Sequence, residues 1–328
     1  MSQAEMVRDE QRAMRTNEGP LKLFCGNSNL PLAQNIADCL GIDLGQALVG
    51  LFANAETRIR IEENVRGCDV FVLQSLCIPV DHHIMELLMM IDAVKRASAR
   101  RITAVVPYYA YAKQEKKMAG REPISARLVA NLLTTAGVSR VVTIDLHAPA
   151  IEGFFDIPVD HLRAAPILAE HFRELTTQDI VVVSPDAGGV GRANDFRQRL
   201  AAPLAIIAKQ RPRPDVAEVL DMVGDVRGKT AIIVDDMIST GGTLVEAADV
   251  LRRRGAVDVL ACATHGVFAD GAVDALLDSE LSALILTDTV PLPGGRTDKK
   301  IEIVSVAPLL AESIRRIHEN RSVSELFD

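Results

Sequence analysis

Tryptophan is absent, and three tyrosines and nine phenylalanines are the only aromatics in 328 residues. That scarcity disfavours a single-stranded nucleic-acid binder built on stacking platforms and makes any core aliphatic. Positive charge is not in excess: 36 Lys and Arg stand against 44 Asp and Glu, for a net charge of −8. A general polyanion surface is thereby disfavoured, while a local basic patch for a small phosphate ligand is not. The five cysteines, Cys25, Cys39, Cys68, Cys77 and Cys262, are never spaced as C-x-x-C. Neither a disulfide framework nor a thiolate metal cluster fits that scatter, and small buried residues in a reducing compartment do. No apolar run reaches the roughly 18 residues of a spanning helix, and the opening MSQAEMVRDEQRAMRTNEGP is polar. The expectation is a cytoplasmic protein with neither membrane nor nucleic-acid partners.

What the chain does contain is ample apolar material, 48% of residues. Continuous runs at Val70–Leu73, Ile102–Val106, Val141–Ile144, Ile180–Val183, Leu204–Ile207, Ala231–Val234 and Val259–Ala263 predict strands covered on both faces. Amphipathic stretches at Met85–Ala97, Ser125–Ala136, Thr243–Arg254 and Ala307–Ile317 predict helices between and after them. Strand–helix alternation implies an α/β fold with mainly parallel sheets. Asn64-Val65-Arg66-Gly67 before VFVL returns as Asp225-Val226-Arg227-Gly228 before AIIV. Matching elements follow each copy, which points to an internal duplication into two related domains. The expected divisions are a mobile tail over 1–20, domains over 21–160 and 161–306, and a C-terminal helix and tail over 307–328 that packs on the first domain.

The most informative stretch is AIIVDDMISTGGTLVEAADVL. An apolar strand ends in Asp235 and Asp236, and Ser239, Thr240, Gly241, Gly242 and Thr243 open a helix. Glycines let backbone amides approach an anion, the helix start adds partial positive charge, and the hydroxyls donate further bonds. Adjacent acids repel a phosphate but suit the hydroxyls of a sugar, or a cation bridging to it. Phosphate at one end and diol at the other describe a ribose phosphate. Taken without its neighbours, the stretch also reads as a glycine-rich turn with capping acids.

This unit resembles the phosphoribosyl-binding loop of phosphoribosyltransferases and ribose-phosphate diphosphokinases. The stretches VVPYYAYAKQEKKMAGREPISARLVANLLTTAG, VVTIDLHAPAIEGFFDIPVDHL, VVVSPDAGGVGRA and AIIAKQRPRPDVAEVLDMVGDV are similar to the bacterial, class I type of the second family. The similarity runs from about Leu21 to Phe327. It implies two phosphoribosyltransferase-like domains, the first on the ATP side and the second bearing the ribose 5-phosphate loop. It also implies transfer of a diphosphoryl group from ATP to the anomeric hydroxyl of ribose 5-phosphate, with release of AMP.

By residue type alone, Lys209 and Arg211 in AIIAKQRPRPD read as a solvated basic loop, and His147 and Asp186 as hydrogen-bonded residues at strand ends. The resemblance makes Lys209 and Arg211 the catalytic pair and His147 and Asp186 ligands of Mg²⁺. It assigns Phe52, Asn54, Ala55 and Glu56, with Lys113 and Gln114, to ATP, the first group reaching a neighbouring subunit's site. It further implies a homohexamer with ADP and phosphate as effectors. No G-x-x-x-x-G-K-[ST] loop is present. Asp81-His82-His83 resembles a metal cluster, but its spacing reads as helix capping.

Several positions depart from the family pattern. Asn54 and Ala55 stand where Asp and Gly are usual, Lys113-Gln114-Glu115 replaces Arg-Gln-Asp, and Ser239 replaces Asp. Ala119 and Gly120 replace Arg and Ser in a loop tied to regulation, while the C-terminal SVSELF matches. Two other readings compete: a phosphoribosyltransferase that consumes the product, and a catalytically silent homologue in a synthetase complex. The duplicated architecture opposes the first, and intact Lys209, Arg211, His147 and Asp186 oppose the second.

Overall fold

Runs of β-branched and aliphatic residues without polar alternation can be covered only by helices on both faces, and they become the central strands of two sheets. The computed structural model describes residues 19–175, 179–210 and 219–326. The expected tail up to residue 18, Arg211 and the phenylalanine of the C-terminal SVSELF lie outside the described residues. In chain order the elements are β1 (Leu21–Cys25), α1 (Leu30–Leu40), β2 (Ala47–Leu51), β3 (Thr57–Ile61), β4 (Asp69–Leu73), α2 (Val80–Arg96), β5 (Arg101–Val106), α3 (Ser125–Ala136), β6 (Arg140–Ile144) and β7 (Val159–Leu162). There follow α4 (Ala165–Leu175), β8 (Ile180–Ser184), α5 (Val190–Arg199), β9 (Leu204–Gln210), β10 (Val219–Val223), β11 (Thr230–Ile238), α6 (Gly242–Arg253), β12 (Asp258–Gly266), α7 (Ala272–Leu277), β13 (Ala283–Thr287), β14 (Ile301–Val304) and α8 (Ala307–His318).

The chain divides into two compact units. One runs to Arg163 and resumes at Val306; the other is Ala164–Ser305. The first holds a five-stranded parallel sheet ordered β1-β4-β5-β6-β7, with β2 and β3 paired as a separate antiparallel ribbon. Its closing helix α8 packs on α1 through a face that buries Leu310, Ala311, Ile314 and Ile317. The second unit has a seven-stranded sheet, β10-β9-β8-β11-β12-β13-β14, parallel except for the antiparallel β9–β10 pair. Its core joins Val181, Val183, Ile233, Val259 and Leu286 of the sheet to Leu244, Ala248 and Leu251 of α6.

The repeated Val-Arg-Gly turns have one geometry. The Asn64 and Asp225 carbonyl-type side-chain oxygens accept the Arg66 and Arg227 amides at 3.1 and 3.2 Å. Gly67 and Gly228 take φ of 73° and 71°, where a side chain would strain the backbone. Both glycine amides then bond to the carbonyl of the turn before the next strand, Ser98 and Gly255, at 2.9 Å. β4 and β11 start two residues after these glycines. The fold is thus a duplicated α/β arrangement of parallel sheets flanked by helices.

One expectation is overturned. The helix predicted from Met85 begins at Val80, so Asp81, His82 and His83 lie in its first turn, and no side chain caps it. Asp81 instead accepts the Tyr111 hydroxyl at 2.6 Å, and His83 Nδ1 lies 2.8 Å from the Cys77 carbonyl. Pro79 and its neighbours set the helix start, which leaves the polar residues to tie it to adjoining loops.

Candidate active site

In the second unit the acids and the glycine loop stand at the carboxyl end of β11. Thr230–Val234 are buried between helices, and the strand continues through Asp235 and Asp236 because Met237 and Ile238 pair with His265 and Gly266 of β12. The chain then turns at Gly241, whose φ of 78° is left-handed. A Cβ there would also lie 3.0 Å from Leu276 Cγ, so glycine answers two demands. α6 starts at Gly242 with no side-chain cap, and its first amides lie where a helix dipole presents positive charge. Gly241 is buried, Gly242 and Thr240 are exposed, and Ser239 and Thr243 are half-buried. Ser239 uses its carbonyl to accept the Ala269 amide at 2.9 Å.

Asp186 leaves β8, the parallel neighbour of β11, at the same sheet edge. It is exposed, and its Oδ1 accepts the Gly189 amide at 2.8 Å in the turn that launches α5. Lys209 lies on β9, the other neighbour of β8, with its backbone paired to Leu220 of β10. Topology thus brings Asp186, Lys209, Asp235, Asp236 and Ser239–Thr243 to one edge of one sheet. Arg211 lies outside the described residues.

Arg192, in the first turn of α5, escaped the sequence reading. Its Nη1 donates to Asp235 Oδ1 at 2.8 Å, and its Nη2 lies 2.9 Å from Asp236 Oδ1. Asp236 is buried and Asp235 half-buried. Burial raises the Asp235 carboxyl from 3.8 to about 7, the bond to and charge of Asp236 add to it, and Arg192 opposes. The thiol of Cys262, on β12 beneath the pair, is pushed up by burial and then by the Asp235 charge. Counting from the repeated turn, Gln74 and Ser75 fall where the second unit has the two acids. Gln74 is buried and donates to Glu86 Oε1 at 2.7 Å. The acid pair therefore belongs to the second unit alone.

In the first unit, Phe52-Ala53-Asn54-Ala55-Glu56 forms the tip of the β2–β3 hairpin. The Phe52 amide donates to the Glu56 carbonyl at 2.8 Å, and Ala55 sits at φ 65°. Asn54 Oδ1 accepts the Glu56 amide at 3.3 Å. Phe52, half-exposed, has the Arg58 guanidinium 5.5 Å from its ring centre. Lys113 and Gln114 are exposed beyond β5, and Gln114 Oε1 accepts the Ser125 hydroxyl. His147 follows β6, the neighbour of β5, so these two groups leave adjacent strand ends.

The loop bearing His147 is anchored by another residue the sequence reading passed over. Leu146 donates its amide to His161 Nε2 at 2.8 Å, so that nitrogen accepts and Nδ1 carries the proton, bonded to Glu152 Oε1 at 2.5 Å. Burial, then the Arg163 charge, lowers the affinity of His161 for a second proton. Asp145, beside it, takes φ 39°.

Comparison with known proteins converges. Residues 21–137 match the model of the N-terminal domain of ribose phosphate pyrophosphokinase, and residues 211–328 that of the phosphoribosyl synthetase-associated domain. The ribose-phosphate pyrophosphokinase of Caldanaerobacter subterraneus subsp. tengcongensis is 56% identical over 308 residues, covering 94% of this chain and 98% of that protein. The enzyme of the same name from Bacillus subtilis is 53% identical over 307 residues, covering 94% and 97%. The crystal structure of phosphoribosylpyrophosphate synthetase from Mycobacterium smegmatis superposes with a TM-score of 0.87 at 47% identity, covering 92% of this chain and 99% of that one. With both ends of the chain matched and identity above half across nearly all of it, the chain belongs to the ribose-phosphate pyrophosphokinase family.

Proposed function

We propose that the chain synthesises 5-phosphoribosyl 1-diphosphate by moving the diphosphoryl group of ATP onto the anomeric hydroxyl of ribose 5-phosphate, releasing AMP. One observation carries this reading: an acid pair and an uncapped, glycine-led helix start share the end of a single strand. That segment answers both ends of one pentose phosphate. The 5-phosphate meets the amides and hydroxyls of Ser239–Thr243, and Asp235 and Asp236 accept from the ring hydroxyls.

The anomeric oxygen attacks the β-phosphorus. A new bond forms there as the bond from that phosphorus to the α,β-bridging oxygen breaks; AMP carries away the electron pair, and the hydroxyl proton is lost to solvent. Such a transfer needs alignment and positive charge more than covalent help. Lys209 and Arg211 supply that charge to the migrating oxygens, Lys as a compact cation and Arg as a fork. Phe52 stacks on adenine while Asn54, Ala55 and Glu56 line its polar edge, and Lys113 and Gln114 complete the nucleotide site.

Asp186 and His147 are the residues that would hold Mg²⁺. Among the described residues no three His, Cys, Asp or Glu side chains gather into a closed metal cage, and Asp186 is exposed. Each donor, taken by itself, suits an ion that keeps waters and takes its other ligands from nucleotide phosphates. When bound, the ion neutralises charge on those phosphates. The reading includes a cytoplasmic homohexamer in which a neighbouring subunit completes each ATP site, with ADP and phosphate as effectors. The test is to mix ATP, ribose 5-phosphate and Mg²⁺ and resolve the nucleotides. AMP formed only with the sugar phosphate supports the assignment; ADP alone, or no turnover, rejects it.

A further inference from the structure

Arg192 occupies a position that helix chemistry disfavours. It is the third residue of α5, where the exposed amides carry positive charge and an acid would be favoured. The first turn of α5 contains no acid, while Arg197 and Arg199 sit in the last turn as the dipole prefers. A local conflict of this kind persists where other contacts compensate for it, and such conflicts gather at functional positions.

The compensation is specific. One planar guanidinium reaches both Asp235 Oδ1 and Asp236 Oδ1, at 2.8 and 2.9 Å. The Asp236 amide donates to that same Asp235 oxygen at 2.9 Å, so two donors fix its direction. The turn ahead of α5 is set as well, since the Ser184 hydroxyl donates to the Asp186 carbonyl at 2.7 Å. A Cβ on Gly189 would stand 3.0 Å from that hydroxyl oxygen, so glycine leaves the hydroxyl its room in the turn. Two adjacent carboxylates with little solvent repel each other unless a cation lies between them. Without one, they turn apart or one takes up a proton, and a sugar hydroxyl then meets the wrong partner.

We infer that Arg192 is a positioning residue for the pentose: it holds Asp235 and Asp236 as a fixed pair of acceptors for the vicinal hydroxyls of ribose 5-phosphate. It thereby governs sugar affinity rather than the diphosphoryl transfer itself. The inference rests on the function proposed above, and wild-type turnover separates the two: if the wild type forms no AMP the function fails, whatever Arg192 does.

The experiment is steady-state kinetics in both substrates on the full-length wild type, Arg192→Gln and Arg192→Lys, with thermal melts of each. Arg192→Gln is expected to raise KM for ribose 5-phosphate by about tenfold or more, with kcat and KM for ATP changed by less than about threefold. Arg192→Lys keeps charge but cannot span two carboxylates, so its KM for the sugar falls between the other two. An unchanged sugar KM in Arg192→Gln overturns the inference, as does an equal rise in both KM values or a fall in kcat alone. Should Arg192→Gln fail to melt cooperatively, Arg192→Lys decides: a raised sugar KM with a wild-type melt supports the role, and a wild-type KM refutes it.

Discussion

Replacing Asp235 by Asn should stabilise the protein at alkaline pH while weakening its hold on the sugar. Burial first, then Asp236, raises the Asp235 carboxyl from 3.8 to about 7. A carboxyl whose folded value lies above its unfolded one favours folding when protonated. Its contribution is therefore fully present below 3.8 and is lost as pH rises through about 7. Above that, the ionised group opposes folding by at most about 4 kcal/mol, at roughly 1.4 kcal/mol per pH unit of difference. The half-exposed surroundings and the lost pairing with Arg192 reduce the gain from Asn to on the order of 2 kcal/mol. In a chain of this size that is a rise in Tm of about 3 °C at pH 8. Melts of wild type and Asp235→Asn from pH 8 down to pH 4 give the comparison. The gap should be widest at pH 8 and narrow as pH falls through 7. A variant less stable than wild type at pH 8, or a gap that ignores pH, refutes the reasoning.

Three further outcomes are expected. Ala55→Gly should stabilise by about 0.5–1 kcal/mol, since a left-handed alanine costs about 1–2 kcal/mol and glycine returns part of that to the unfolded chain; urea titration measures it, and a net loss contradicts the strain at φ 65°. Lys209→Ala should lower kcat by about 10² or more with both KM values little changed; near-normal turnover removes Lys209 from the mechanism. His318→Ala should cost about 1–2 kcal/mol, because Nδ1 lies 2.9 Å from Oδ2 of the fully buried Asp69, which also takes the Arg101 fork. Burial alone would raise the Asp69 carboxyl, but Arg101 and His318 together lower it. That stability is thus present above 3.8 and lost as pH falls below it, and acid melts of the variant should show that component reduced, since the Arg101 fork remains.

The strands were legible where burial was complete. Val70–Leu73 carries no polar residue and Val141–Ile144 only the buried, β-branched Thr143, because both sheet faces are covered. β9 runs three residues past its apolar stretch, to Gln210, since there its backbone pairs with β10. The β2–β3 ribbon gave no comparable signal, as its residues are mostly half-buried or exposed. The glycine loop could be read because conformation and chemistry coincide in nine consecutive residues. Arg192 and His161 could not, since each acts on groups far along the chain. An arginine in the opening turn of a helix was the one local cue to the first; nothing local marked the second.

The first unit is closed by the chain's last helix, with α8 against α1, Arg101 donating to the Ile317 carbonyl at 3.1 Å, and Arg315 donating to the Cys39 carbonyl at 2.9 Å. On the ribosome, the early strands therefore emerge well before the segment that seals them. All of 164–305 intervenes, a delay on the order of ten seconds at ordinary elongation rates. Until then the α1 surface that will meet Leu310 and Ile314 stays uncovered, a natural client for a holdase. Premature termination ahead of α8 would accordingly damage the half translated first and leave the half translated second intact.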